Sequence, residues 1–168
     1  MAKLLMVVAP RDFRDEEYFV PREILDQAGH EVLVGSLEKH AYSKKGKELI
    51  VEDLLEDLEV TDFQGIVMVG GSGGKVYLEN QKVLGWIKEF HDKGLLVAAI
   101  CMAPAILARA GILKGKKSTV HEHYKQEVID GGAEYQKQGV VRDGNIITAN
   151  GPEASEDFGK EIVSYFAR

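Results

Sequence analysis

One cysteine, Cys101, is all the chain has, and a lone thiol rules out an internal disulfide framework. There are only four prolines, and no repeat or Pro/Gly/Ser-rich tract that reads as a linker, so residues 1–168 are expected to form one domain. Long hydrophobic runs are missing too. The opening MAKLLMVVAPRDF breaks at Pro10 and Arg11 before a signal-peptide core or a membrane-spanning length develops, and a cytoplasmic location is expected. Cations are the scarcer charge: 21 Lys and Arg stand against 27 Asp and Glu. The resulting net charge of -6 argues against nucleic acid or an anionic membrane as a partner. What is present is 45% hydrophobic residues, enough for the full core of one compact domain.

The apolar residues fall into alternating strand and helix patterns. KLLMVVA at 3–9 reads as a strand, and DEEYFVPREILDQAG at 15–29 as a helix, acidic in its first turn and stopped by Gly29. Pro21 inside that pattern is expected to kink the helix or mark a second start. HEVLVGS at 30–36 supplies the next strand and completes a βαβ unit, whose crossover is expected to be right-handed. The stretch 36–62 mixes charge with short apolar pieces and reads as a small β excursion on a sheet edge; its EDLLEDLE run reads as a solvated acidic face. GIVMV at 65–69 is a third buried strand that runs into Gly70-Gly71-Ser72-Gly73-Gly74-Lys75. NQKVLGWIKEFHDKG at 80–94 predicts an amphipathic helix with Val83, Leu84, Ile87 and Phe90 on one face.

Further on, KKSTVHEHYKQEVIDGG at 116–132 reads as a short strand and a helix ending near Gly131. GVVRDGNIITA at 139–149 reads as a hairpin about Asp143-Gly144, and GPEASEDFGKEIVSYFA at 151–167 as a closing helix. Such alternation predicts an α/β fold, a mainly parallel sheet with helices on both faces, and in these sheets ligands bind outside the C-terminal strand ends.

Cys101 stands at one of those ends. VAAI at 97–100 has the length and lack of alternation of a strand buried on both faces. Pro104 within a first turn, the helix formers AILARA and the stop at Gly111 predict a helix after it. The thiol therefore lies on a sharp strand-to-helix turn, a nucleophile elbow with sulfur in place of oxygen, and the N–H groups of the helix start are expected to favour the thiolate.

The glycine loop fits neither phosphate-binding pattern: a Walker motif ending at Gly74-Lys75 needs glycine where Val69 stands, and Val76 spoils a G-x-G-x-x-G from Gly71. It does satisfy G-x-S-x-G, which makes Ser72 a rival nucleophile, although the hydrolases with that motif generally need a longer chain. Its better use is to aim backbone N–H groups at the thiol as an oxyanion hole.

Asp15, Glu16 and Glu17 all lie near the C-terminal end of the first strand, where one can face the thiol or all can serve the helix dipole; spacing does not choose among them. His121 follows a strand and reaches the same edge. His121, His123 and Cys101 lack any firm zinc-ligand spacing, so no metal is expected.

Four stretches taken together resemble the ThiJ/PfpI superfamily: the strand–AICMAP–helix elbow, the upstream GIVMVGG, EYFVP after the first strand, and the late DGNIITANGP. The resemblance runs through nearly the whole chain, in order. It implies a flavodoxin-like three-layer sandwich related to class I glutamine amidotransferases, in a family that includes the Parkinson-disease-associated deglycase. By the same resemblance, Cys101 matches the reactive cysteine, and Glu17, four residues before Pro21, matches the glutamate that hydrogen-bonds its sulfur. Gly71 and Ser72 match the loop facing it, and His121 matches the histidine of the deglycase and glyoxalase-type members. The intracellular-protease branch carries histidine directly after the cysteine; here that residue is Met102.

These matches point to a cysteine-dependent, glutathione-independent glyoxalase or deglycase acting on small α-oxoaldehydes or glycation adducts, with Cys101 as nucleophile. Glu17 and His121 would move protons, and N–H groups at Gly71, Ser72 and Met102 would hold the oxyanion. A redox-sensing stress protein working through Cys101 and a cysteine peptidase are the alternatives. No cofactor is expected. A homo-oligomer, a dimer or larger, is what the family implies.

Overall fold

Leu4, Leu5, Met6 and Val7 show no polar alternation because both faces of their strand are covered, and all four are buried. In the computed structural model, which describes residues 1–167, this strand, β1 (Lys3–Val7), is followed by a short β2 (Arg11–Phe13) and by helix α1 (Asp15–Gln27). Next come β3 (Glu31–Ser36), β4 (His40–Ser43), β5 (Glu48–Ile50), β6 (Asp53–Leu54) and β7 (Gly65–Met68). Helix α2 (Gln81–Asp92), strand β8 (Leu96–Ile100) and helix α3 (Pro104–Arg109) carry the chain through the elbow. It closes with β9 (Lys117–Ser118), α4 (Lys125–Asp130), β10 (Glu134–Tyr135), β11 (Val140–Asp143), β12 (Ile146–Ala149) and α5 (Ser155–Phe166).

Seven strands form the central sheet in the order β11-β12-β8-β7-β1-β3-β6, parallel throughout except for β11, which pairs with β12 as an antiparallel hairpin. The inner order β3-β1-β7-β8-β12 is that of a flavodoxin-like doubly wound sheet. In register, Leu5 lies beside Leu33 on one side and Ile66 on the other, and Ala149 beside Ile100.

Strand period separates the core into two layers. Leu5, Val7, Ile66, Met68 and Val97 pack with Val83, Ile87 and Phe90 of α2 and with Ile106 and Leu107 of α3. Leu4, Met6, Val67, Leu96 and Ile100 pack on the other face with Leu25 of α1 and Phe158 and Ile162 of α5. Among the described residues, no helix is long and apolar enough to cross a membrane.

Two expectations change. Helix α1 runs through Pro21 as one element with no second start. Pro21 is buried where α1 crosses α5, so tertiary packing holds the helix that the missing N–H would weaken; only the carbonyl of Glu17 loses its helical donor. The β excursion does not simply extend the main sheet: β4 and β5 join β2 in a separate three-stranded sheet, and β6 alone lies on the main edge. EDLLEDLE does present the expected solvated acidic face, backed by leucines. Its carboxylates are exposed, but Leu55 is buried and Leu58 packs against the core, in a short 3-10 turn at 55–57.

Candidate active site

Cys101 ends β8 with φ +65°, a left-handed backbone that side chains other than glycine's rarely adopt. Two backbone bonds hold it there: its N–H donates to the Ala149 carbonyl at 2.9 Å, and its own carbonyl accepts from His121 N–H at 2.8 Å. The first continues the β8–β12 pairing by one residue, and the second fastens the segment after β9 to the elbow. Three residues later Pro104 opens α3, as the sequence pattern predicts. The strain sits on the half-buried residue that carries the thiol.

Of three consecutive carboxylates in the first turn of α1, each has a different fate. Asp15 turns to the small sheet, accepting from Ser43 Oγ at 2.5 Å and from Lys45 N–H at 3.2 Å. Glu16 faces outward, paired with Lys45 at 2.9 Å and Arg14 at 3.4 Å. Glu17, one helical step further round, is fully buried and meets the Cys101 thiol, which hydrogen-bonds it. Among the described residues no N–H or O–H reaches either of its oxygens.

Burial pushes the Glu17 carboxyl up to about 7, against the pull of the thiol and of the Arg14 guanidinium. Burial also pushes the Cys101 thiol up, to about 12, and the Glu17 charge and hydrogen bond add to it; Met102 N–H and Arg14 act in the opposite direction. The expected thiolate-favouring pull of the helix start is thus present in Met102 N–H, but burial and the carboxylate outweigh it. Two negative charges do not fit side by side here, so the pair keeps at least one proton.

Gly70 makes that contact possible. A Cβ there would lie 2.6 Å from the Ile100 carbonyl oxygen and 2.7 Å from Cys101 Cβ, and would collide with Glu17 Oε1. Gly71, at φ +109°, opens a 3-10 turn, Ser72–Tyr77. Among the described residues, the Gly71 and Ser72 N–H groups make no backbone bond to another element.

Met102 occupies the position where a peptidase-type histidine would stand. Its side chain is buried and packs against Gly74. On the open side, Cys101, Met102, Gly71, Ser72 and His121 line one cavity of about 560 Å³. His121 stacks on His123 with ring centroids 5.4 Å apart, and its Nδ1 accepts from His123 N–H at 3.2 Å. The neutral ring therefore carries its proton on Nε2, as a donor.

All the residues expected at the site are brought to one edge of the sheet, and Ser72 is an exposed member of the lining rather than a buried nucleophile. Four more residues line the cavity: Arg14, Lys75, His123 and Tyr124. Burial raises the Tyr124 phenol, and its nearness to Cys101 and Glu127 adds to the rise. Its spacing of three from His121 within a helical turn was a readable signal. Arg14 gave none, because it enters as the residue before a helix. Among the described residues, no group of three or more His, Cys, Asp or Glu side chains is placed to hold a metal ion.

The DJ-1/PfpI family model matches residues 2–165. An uncharacterized protein of Methanocaldococcus jannaschii is 45% identical over 96% of this chain and 81% of its own. A deglycase of Pyrococcus horikoshii is 32% identical over 96% of this chain and 97% of its own. The crystal structure of a ThiJ/PfpI domain protein from Brachyspira murdochii superposes with a TM-score of 0.93 at 34% identity, over 96% of this chain and 94% of that one. Sequence match, topology and elbow agree: the chain belongs to the DJ-1/PfpI family.

Proposed function

We propose that this protein is a cysteine-dependent, glutathione-independent glyoxalase or deglycase acting on α-oxoaldehydes or early glycation adducts. The observation that carries the reading is the buried Glu17–Cys101 pair opening onto a cavity, with a proton available to move between sulfur and carboxyl. Sγ attacks the aldehyde carbon, the thiol proton passes to the Glu17 carboxylate, and the new oxyanion lies against N–H groups of Gly71, Ser72 and Met102. Glu17 returns that proton to the oxygen, then takes the hydrogen from the former aldehyde carbon. An enediol forms, and His121 Nε2–H donates to its second oxygen. Reprotonation at the neighbouring carbon leaves a thioester, which water hydrolyses to a 2-hydroxy acid. The first carbon is oxidised and the second reduced within one molecule, so no external oxidant is needed. A deglycase would share the first attack.

Mixing the protein with methylglyoxal, without glutathione, tests this. Aldehyde loss matched by lactate, and lost in Cys101→Ala and Glu17→Gln, is expected; no turnover above buffer sinks the reading. Peptide hydrolysis is the weaker alternative, since Met102 supplies no base. Redox sensing is favoured by one feature, a Glu17 carboxyl that stays protonated up to about 7 and can donate to an oxidised sulfur. Peroxide titration read by intact mass separates it: a sensor gains oxygen on Cys101 at low excess.

A further inference from the structure

The cavity over Cys101 is larger than a five-heavy-atom aldehyde needs. At about 560 Å³ it falls in the range of sites for much larger ligands. Its charge also departs from that of the chain. The protein as a whole carries -6, yet the ionisable side chains on the cavity wall besides Cys101 and Tyr124 are Arg14, Lys75, His121 and His123, with no carboxylate among them. Among the described residues, Lys75 has no carboxylate within ion-pairing distance. Arg14 shares one nitrogen with Glu16 at 3.4 Å, and its field reaches both Cys101 and Glu17. A cleft lined by one sign of charge draws and orients ligands of the other.

We propose that the Cys101 cavity takes a carbonyl compound whose far end is anionic, a carboxylate or a phosphate, held by Lys75 and Arg14 while the aldehyde lies at Sγ. The inference names a substrate class for the reaction proposed above and rests on that reading for its chemistry; the capture of an anion beside the thiol does not depend on it. Lys75 and Arg14 are specificity residues here, and they touch the tail rather than the reacting carbon. The reaction balances as before: R–CO–CHO and water give R–CHOH–COO⁻ and a proton, with R carrying the charge.

Alkylation of Cys101 separates the two claims. Iodoacetate and iodoacetamide react alike, as the S–C bond forms, iodide leaves and the thiol proton passes to Glu17, but only the first is an anion. With both followed by intact mass at low salt, the iodoacetate-to-iodoacetamide rate ratio is expected to exceed that of glutathione by about tenfold. It should fall in Lys75→Met and in added salt, and be restored in Lys75→Arg. A ratio equal to that of glutathione, or one that Lys75→Met leaves unmoved, overturns the inference whatever the turnover assay shows. Turnover is then compared on methylglyoxal, on 4,5-dioxopentanoate and on 3-phosphooxy-2-oxopropanal. A kcat/KM about tenfold higher for either anion, lost in Lys75→Met, supports the proposal and tells carboxylate from phosphate. Equal values for all three overturn the substrate class while leaving the aldehyde reaction standing. No turnover on any, with a raised alkylation ratio, removes the proposed reaction and keeps the anion site.

Discussion

The two edges of the central sheet use the same amino acid for different purposes. At the N-terminal ends of the strands, Gly29, Gly94 and Gly144 precede β3, β8 and β12, all at positive φ, and a side chain on any of them would meet nothing within 4 Å. There glycine solves a backbone problem. At the C-terminal ends, a Cβ on Gly70 would strike the Ile100 carbonyl, Cys101 and Glu17, and one on Gly71 would lie 2.5 Å from the Asp12 carbonyl and 2.6 Å from Arg14 N. There it solves a problem of space, letting segments distant in sequence close around one thiol. Strain and a buried carboxyl gather at the same edge: Cys101 at φ +65°, and Glu17, which no N–H or O–H reaches among the described residues. One edge turns the chain economically; the other stores stability cost around the thiol.

That contrast breaks first at Gly70. Gly70→Ala puts a methyl group among a backbone carbonyl and two site side chains, so a loss of about 3 kcal/mol in denaturant unfolding is expected, together with loss of turnover. A variant as stable and active as the parent would show that the contact is not tight.

Next in size is Glu17→Gln, read as stability against pH. Because the folded carboxyl titrates at about 7 instead of 4.5, the protonated group's contribution is fully present below pH 4.5 and is lost as pH rises to about 7. The interval corresponds to about 3 kcal/mol. The parent should weaken across that window and Glu17→Gln should stay flatter, ending more stable at pH 8; parallel curves would mean that Glu17 ionises normally.

His121→Ala is expected to lower kcat about a hundredfold through loss of the Nε2 donor. Its melting temperature should be nearly unchanged, since the backbone bond to Cys101 survives. An equal drop in stability would make His121 a strut rather than a proton donor. The smallest effect belongs to the other edge. Gly94→Ala, at φ +73° in open space, should cost about 1 kcal/mol and leave turnover alone.

Much of this arrangement could be read along the chain. The helix from Gln81 to Asp92 buries Val83, Leu84, Ile87 and Phe90, the face its periodicity predicts, and the hairpin turns at Asp143-Gly144. The VAAI strand, Cys101 and Pro104 stand as the elbow pattern requires. These features are local, set by period, capping and turn chemistry within a dozen residues. The small sheet was only half legible because β2 pairs with β4 some thirty positions on, and such pairing leaves no local mark. No second start appears at Pro21 for a related reason: helix propensity weighs less than burial against α5.

By itself the sequence determined the order of strands and helices, their buried faces and the placing of a thiol at a strand end, because hydrophobic pattern and backbone preference are carried residue by residue. Resemblance to relatives, rather than spacing, singled out Glu17 from Asp15 and Glu16. Tertiary structure decided the rest: Ser43 and Lys45 take the first two carboxylates and Gly70 leaves room for the third. It also set the raised proton affinities of Glu17 and Cys101 and the gathering of Arg14, Lys75 and two histidines on one wall. Desolvation and electric field depend on which groups meet in space, and those groups come from segments that only the folded sheet brings together.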